Sequence, residues 1–135
     1  MHRQVDLVCL IPYLLRTCKI WDVRTGECIT TLLGAYDEVL DINFNSTGTK
    51  IVTASADGNA RIYNVYTGAC IAKLTGHDGE ISRCHFNPQG TKIITAGVDC
   101  TCRVWSVETG EQLQVLKGKE IACFWRVVIP RRAYG

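Results

Sequence analysis

Eight cysteines and three histidines carry most of the latent chemistry in this 135-residue chain. A metal site needs several such ligands converging at short spacing, and covalent catalysis needs a nucleophile beside a base. Cys100 and Cys102 are two apart and would share a strand face, but no third or fourth ligand stands near them. Cys84 and His85 are adjacent, so on a strand they point to opposite faces and would not share an ion. His77 has the chemistry of a ligand or a general base, yet its Gly76-His77 setting suits a buried turn histidine better. Gly118-Lys119-Glu120 lacks the upstream glycine and the hydroxyl residue of a phosphate loop. Asn45-Ser46-Thr47 is a glycosylation triplet, but it falls in a turn between two apolar runs. No Gly-x-Ser-x-Gly, His-Glu-x-x-His or paired-acid arrangement occurs. The expectation is a non-enzymatic chain with no cofactor and no metal.

An even cysteine count invites a disulfide framework. No Cys-x-x-Cys is present, however, and Cys18, Cys28, Cys70, Cys84 and Cys102 lie in apolar or strand-like runs. Reduced thiols acting as small hydrophobes in a cytoplasmic protein fit better. With 15 Lys+Arg against 13 Asp+Glu the net charge is +2, too mild for an electrostatic case for nucleic acid or an anionic membrane. Arg131-Arg132 reads as part of a solvated tail. Leu7 to Leu15 is apolar, but the preceding Asp6, the internal Pro12 and the absence of a small-residue cleavage site stand against a signal segment, and it is too short to span a bilayer, so no targeting or transmembrane segment is expected.

These residues must be positioned by strands. Val, Ile and Thr number 12, 12 and 13, and with 12 Gly they favour strands and turns over helices. The chain also repeats itself: Trp21, Tyr63 and Trp105 are 42 apart, as are Thr25-Gly26, Thr67-Gly68 and Thr109-Gly110, and Gly34, Gly76 and Gly118. Phe44-Asn45 answers Phe86-Asn87, Gly48-Thr49-Lys50-Ile51 answers Gly90-Thr91-Lys92-Ile93, and Asp57 answers Asp99. Each period reads as four short strands: 38–44, 50–55, 60–65 and 69–74 in one copy, repeated over 80–116 in the next. Asp57-Gly58 is a tight-turn signal within the unit. A sheet of this kind is apolar on both faces and must pack between neighbours.

The Gly76-His77 pair, the intact Trp21-Asp22 and the degenerate Tyr63-Asn64 and Trp105-Ser106 resemble the WD-repeat β-propeller family. The resemblance implies an all-β partial propeller and a buried network in each blade, built from a Ser or Thr, an Asp, the His and the Trp. Matched position by position, the first copy keeps Trp21. The second offers Ser55, Asp57 and Tyr63, with Ala35 in place of His. The third offers His77, Asp99 and Trp105, with Gly97 in place of Ser. Both networks therefore read as incomplete, and each lost buried hydrogen bond costs about 1 kcal/mol.

Finer likeness lies in Ser55-Ala56-Asp57-Gly58, Ala60-Arg61-Ile62, Cys70-Ile71-Ala72-Lys73-Leu74, Gly79-Glu80-Ile81-Ser82, Phe86-Asn87-Pro88-Gln89-Gly90 and Leu113-Gln114-Val115-Leu116. These segments resemble the dynein-assembly adaptors with WD repeats, which serve the outer-arm dyneins of motile cilia. That resemblance implies axonemal dynein and ciliary transport components as partners. It also implies a place in the cytoplasm and in the cilium or flagellum with its basal body. The alternative is a WD module of another scaffold, such as a ubiquitin-ligase substrate receptor, although no F-box-like helical pattern adjoins the repeats.

The register has sharp edges. Residues 1–16 and 119–135 read as unmatched, and 17–118 as the repeat region: a half blade over 17–33 and whole blades over 38–75 and 80–117. Projected backwards by 42, the turn Asp and the Ser should fall at Leu15 and Tyr13; projected forwards, an acid and a Phe should fall at Ala122 and Val128. Glu120-Ile121 come two places early. The expectation is a shortened product that cannot close a ring of about 4–8 blades by itself. Its terminal blades would expose an apolar face, leaving the isolated chain oligomeric or chaperone-bound.

Overall fold

The structure is a computed structural model that describes residues 7–10 (as backbone), 18–32 and 38–118. Its strands are β1 (Leu7–Leu10), β2 (Cys18–Asp22), β3 (Cys28–Leu32), β4 (Val39–Phe44), β5 (Lys50–Ser55), β6 (Asn59–Asn64), β7 (Cys70–Thr75), β8 (Ile81–Phe86), β9 (Lys92–Gly97), β10 (Thr101–Ser106) and β11 (Gln112–Lys117). They form three meanders, β1-β2-β3, β4-β5-β6-β7 and β8-β9-β10-β11, with every neighbouring pair antiparallel. No helix occurs among the described residues. The all-β partial propeller expected from the repeats is what the chain forms.

The turns show why the period is so regular. Asn45 Oδ1 accepts from the amides of Thr49 and Lys50 at 2.9 and 3.0 Å, while its Nδ2 donates to Thr49 Oγ1. Asn87 makes the same three bonds to Thr91 and Lys92. An asparagine that caps its own turn fixes the register of the hairpin that follows. In the glycosylation triplet, the Asn45 amide is thus already engaged in the turn. A second repeated device is a register shift at each aromatic: Ile20/Trp21, Ile62/Tyr63 and Val104/Trp105. Such bulges increase the local twist of a sheet.

Strand alternation gives each sheet two apolar faces. Between the first and second sheets lie Cys18, Ile20 and Leu32 against Ile51, Tyr63 and Val65. Between the second and third, Val52, Ala60, Ile62 and Leu74 meet Ile81, Cys84, Phe86, Ile93 and Trp105. Polar bonds reinforce the second seam: Asn43 Nδ2 donates to the Cys84 carbonyl at 2.7 Å, and the Cys84 amide donates to Asp41 Oδ2 at 3.1 Å.

Two expectations about the ends need correction. Residues 1–16 read as lying outside the repeat, yet β1 comes from them and pairs with β2 as β5 pairs with β6. Val8 stands opposite Trp21 as Ile51 stands opposite Tyr63, which is an offset of 43 rather than 42, so a projection at 42 misses it. The outward face of the last blade was expected to be open, but Ile94, Cys102, Val104 and Leu116 on that face are buried. Leu15, Tyr13, Ala122 and Val128, on which the edge argument turned, lie outside the described residues.

Candidate functional site

The polar centre of the molecule is built on the loop between β7 and β8, the turn between β9 and β10, and the strands flanking that turn. His77 enters from the loop and Asp99 from the turn, while Thr95 and Trp105 project from β9 and β10. Trp105 Nε1 donates to Thr95 Oγ1 at 2.9 Å, and Thr95 Oγ1 lies 2.7 Å from His77 Nε2. His77 Nδ1 lies 3.1 Å from Asp99 Oδ1. An ionised carboxylate can only accept, so the network assigns the imidazole proton to Nδ1 and leaves Nε2 to accept from the threonine hydroxyl. Each polar group in this chain, indole to hydroxyl to imidazole to carboxylate, is satisfied by the next.

Asp99 gathers the far end. The amide of Asp78 and the Thr101 hydroxyl donate to it at 3.1 and 2.8 Å, and Arg103 Nη2 approaches to 3.3 Å. Burial by itself would raise its pKa. The hydrogen bonds from Asp78, Thr101 and His77 outweigh that and hold the carboxyl well below its ordinary range. His77 moves down from 6.5 because burial disfavours the imidazolium more than Asp99 favours it. The ring is neutral at neutral pH, with both nitrogens engaged within the protein.

The sign of the resulting pH dependence follows. A histidine whose folded pKa is depressed is protonated first in the unfolded chain, so stability is full above 6.5 and is lost as pH falls below it. His85, also lowered by burial, acts in the same direction. Asp99 contributes above its unfolded value of 3.8 and loses that contribution as pH falls towards its depressed folded value. The unfolding midpoint is therefore expected to be flat between pH 7 and 8, to decline below about 6.5 and to decline again below about 4. Denaturant titrations across that range check this; a midpoint that rises between pH 6.5 and 5 would contradict it.

The third network had been expected to lack its hydroxyl, with Gly97 in the serine position. The hydroxyl comes instead from Thr95, two residues earlier on the same face. Gly97 is glycine for a different reason: a Cβ there would sit 2.6 Å from His77 Nδ1 and 3.0 Å from Asp99 Oδ1. The signal in the sequence was alternation, since Thr95 falls between Ile93 and Gly97 on the side that faces Trp105.

In the second sheet the equivalent hydroxyl position is Thr53, which is buried. Ser55 has another role: its Oγ donates to the Glu38 carbonyl at 3.0 Å and accepts from the Asp57 amide at 3.2 Å. Asp57 pairs with the buried Arg61 guanidinium at 2.8 Å. Tyr63 occupies the Trp position in the apolar seam, where burial pushes its phenol up to about 12. Ala35 lies outside the described residues. In the first sheet the Trp21 Nε1 is buried with no hydrogen-bond partner among the described residues. In backbone register, Leu10 stands opposite Lys19 as Thr53 stands opposite Arg61 and Thr95 opposite Arg103.

The remaining candidates stay apart. Cys84 is fully buried, with its thiol pKa raised first by burial and then by Asp41. His85 projects from the other side of β8. Cys100 is exposed in a turn at φ 64°, whereas Cys102 points into the apolar face of β10. No group of three or more metal-ligating side chains converges among the described residues. Lys119, Glu120, Arg131 and Arg132 lie outside them.

Antiparallel meanders stacked face to face, keyed by a loop histidine and a turn aspartate bonded through to a strand tryptophan, define a propeller blade. The family model for the WD domain, G-beta repeat, matches residues 26–64 and 68–106, and the chain belongs to that family. No curated protein matches it. WD repeats mark protein-interaction scaffolds in general, and the His77 network locks the β7–β8 loop to the third sheet.

Proposed function

We propose that the chain is an adaptor for axonemal outer-arm dynein, acting in the cytoplasm and at the cilium or flagellum. The observation that carries this reading is where the finer likeness falls. Cys70-Ile71-Ala72-Lys73-Leu74 and Leu113-Gln114-Val115-Leu116 lie on β7 and β11, the outermost strands of their sheets. Packing constrains Leu74 and Leu116, which are buried, but not Ile71 and Leu113, which are 49% and 51% exposed. Likeness at positions the core does not dictate points to a shared partner surface. Capture by the tagged chain from ciliated-cell extract tests this. Enrichment of dynein heavy chains over an unrelated WD-repeat bait is expected, whereas recovery of ubiquitin-ligase subunits instead would replace this reading with that of a substrate receptor. Ile71→Asp with Leu113→Asp is expected to shift stability by less than about 0.5 kcal/mol per site while abolishing dynein capture. Unchanged capture by a folded double variant would place the partner surface elsewhere.

A further inference from the structure

Thr95 and the His77 ring meet away from solvent, each with a side chain that is 0% exposed. A hydrogen bond gained or lost there has to be answered by the protein itself. Thr95 Oγ1 has three partners in reach: Trp105 Nε1 at 2.9 Å, His77 Nε2 at 2.7 Å and the Arg103 carbonyl at 3.5 Å. A hydroxyl carries one proton and two lone pairs, and that proton swings about the C–O bond. With the ring neutral, the proton serves Nε2 and a lone pair takes the indole N–H. The Arg103 carbonyl stands by as a second acceptor.

We propose that the Thr95 hydroxyl is a rotor through which the network takes up a proton while the β7–β8 loop stays latched. A proton from solvent adds to the Nε2 lone pair, the O–H turns from Nε2 to the Arg103 carbonyl, and Thr95 Oγ1 accepts the new Nε2–H beside the indole N–H. The Nδ1–H bond to Asp99 is kept throughout. Each bond of the neutral state thus has a counterpart in the charged one, and the stability lost at acid pH is the cost of burying charge rather than of breaking the latch. The surroundings admit the charge. Asp99 faces the ring from the β9–β10 turn, Asp78 from the loop and Arg103 from β10, where it is bonded to Asp99. The second sheet brings its Gly58 turn against the loop backbone, with Asp57 there already paired to Arg61.

The test compares the full chain with Thr95→Val, which keeps the shape and deletes the rotor, and with Thr95→Ser, which keeps it. The assigned ring resonances of His77 are followed by NMR across the acid range. If the hydroxyl turns to accept from the imidazolium, Thr95→Val removes the stronger, charge-assisted bond and lowers the His77 pKa by about one unit, and Thr95→Ser restores it. If the hydroxyl only ever donates, Thr95→Val removes a partner of the neutral ring alone and raises that pKa; a raised or unchanged value overturns the proposal. As a second measurement that needs no variant, the Asp78 amide, bonded to Asp99 in the latched loop, is expected to keep its protection from hydrogen exchange through the titration of His77. Loss of that protection in step with protonation would also overturn it.

Discussion

Trp105→Ala is expected to lower the unfolding free energy by about 3–5 kcal/mol, the usual cost of truncating a large aromatic in a core. Trp105 is 2% exposed in the seam between the second and third sheets and is one of the largest fully buried side chains. Its removal opens a cavity between two blades and takes the indole donor from Thr95 Oγ1. Against a total stability of about 5–15 kcal/mol for a domain, that loss is large. Trp105→Phe helps to separate the two contributions, because it deletes the Nε1 donor while keeping the larger part of the apolar volume. Urea titrations at unchanged m-value check both variants. A loss below about 1 kcal/mol for Trp105→Ala would mean that the seam carries little of the stability.

Gly97→Ala is expected to cost about 2–4 kcal/mol, combining overpacking with damage to a buried polar network. The added methyl has nowhere to go: besides His77 and Asp99 it would meet the Glu80 carbonyl at 3.1 Å. The diagnostic experiment is a double-mutant cycle with His77→Ala, which removes the clashing imidazole. In that background Gly97→Ala should cost much less than in the native chain. Additive costs would show that the imidazole is not what excludes a side chain at this position.

Much of this architecture was legible in the sequence because the physics that sets it is local and repeated. Asn45 and Asn87 cap the same turn, aromatics recur at the same bulge, and alternation assigns the faces. His77, Asp99 and Trp105 were legible as network members through the resemblance to WD repeats, matched position by position. Thr95 was not, since matching favoured the hydroxyl nearest the turn, and the bonds to His77 and Trp105 depend on which strand position faces the loop. The first strand was hidden by a single extra residue in its connection to β2, which is enough to break a fixed period but not enough to prevent pairing.

Each strand in these sheets pairs with its immediate neighbours in sequence. Forming a sheet thus requires only short loop closures, and a hairpin closes in about 1–10 μs. Bonds between sheets run from each to the next, as Thr30 Oγ1 to the Val65 carbonyl and Ser46 Oγ to the Pro88 carbonyl show. On a ribosome adding about 5–20 residues per second, every sheet can finish its own pairing before the following one has emerged. The nascent chain then holds one unfinished seam at its growing end, and the protein assembles in the direction of its synthesis.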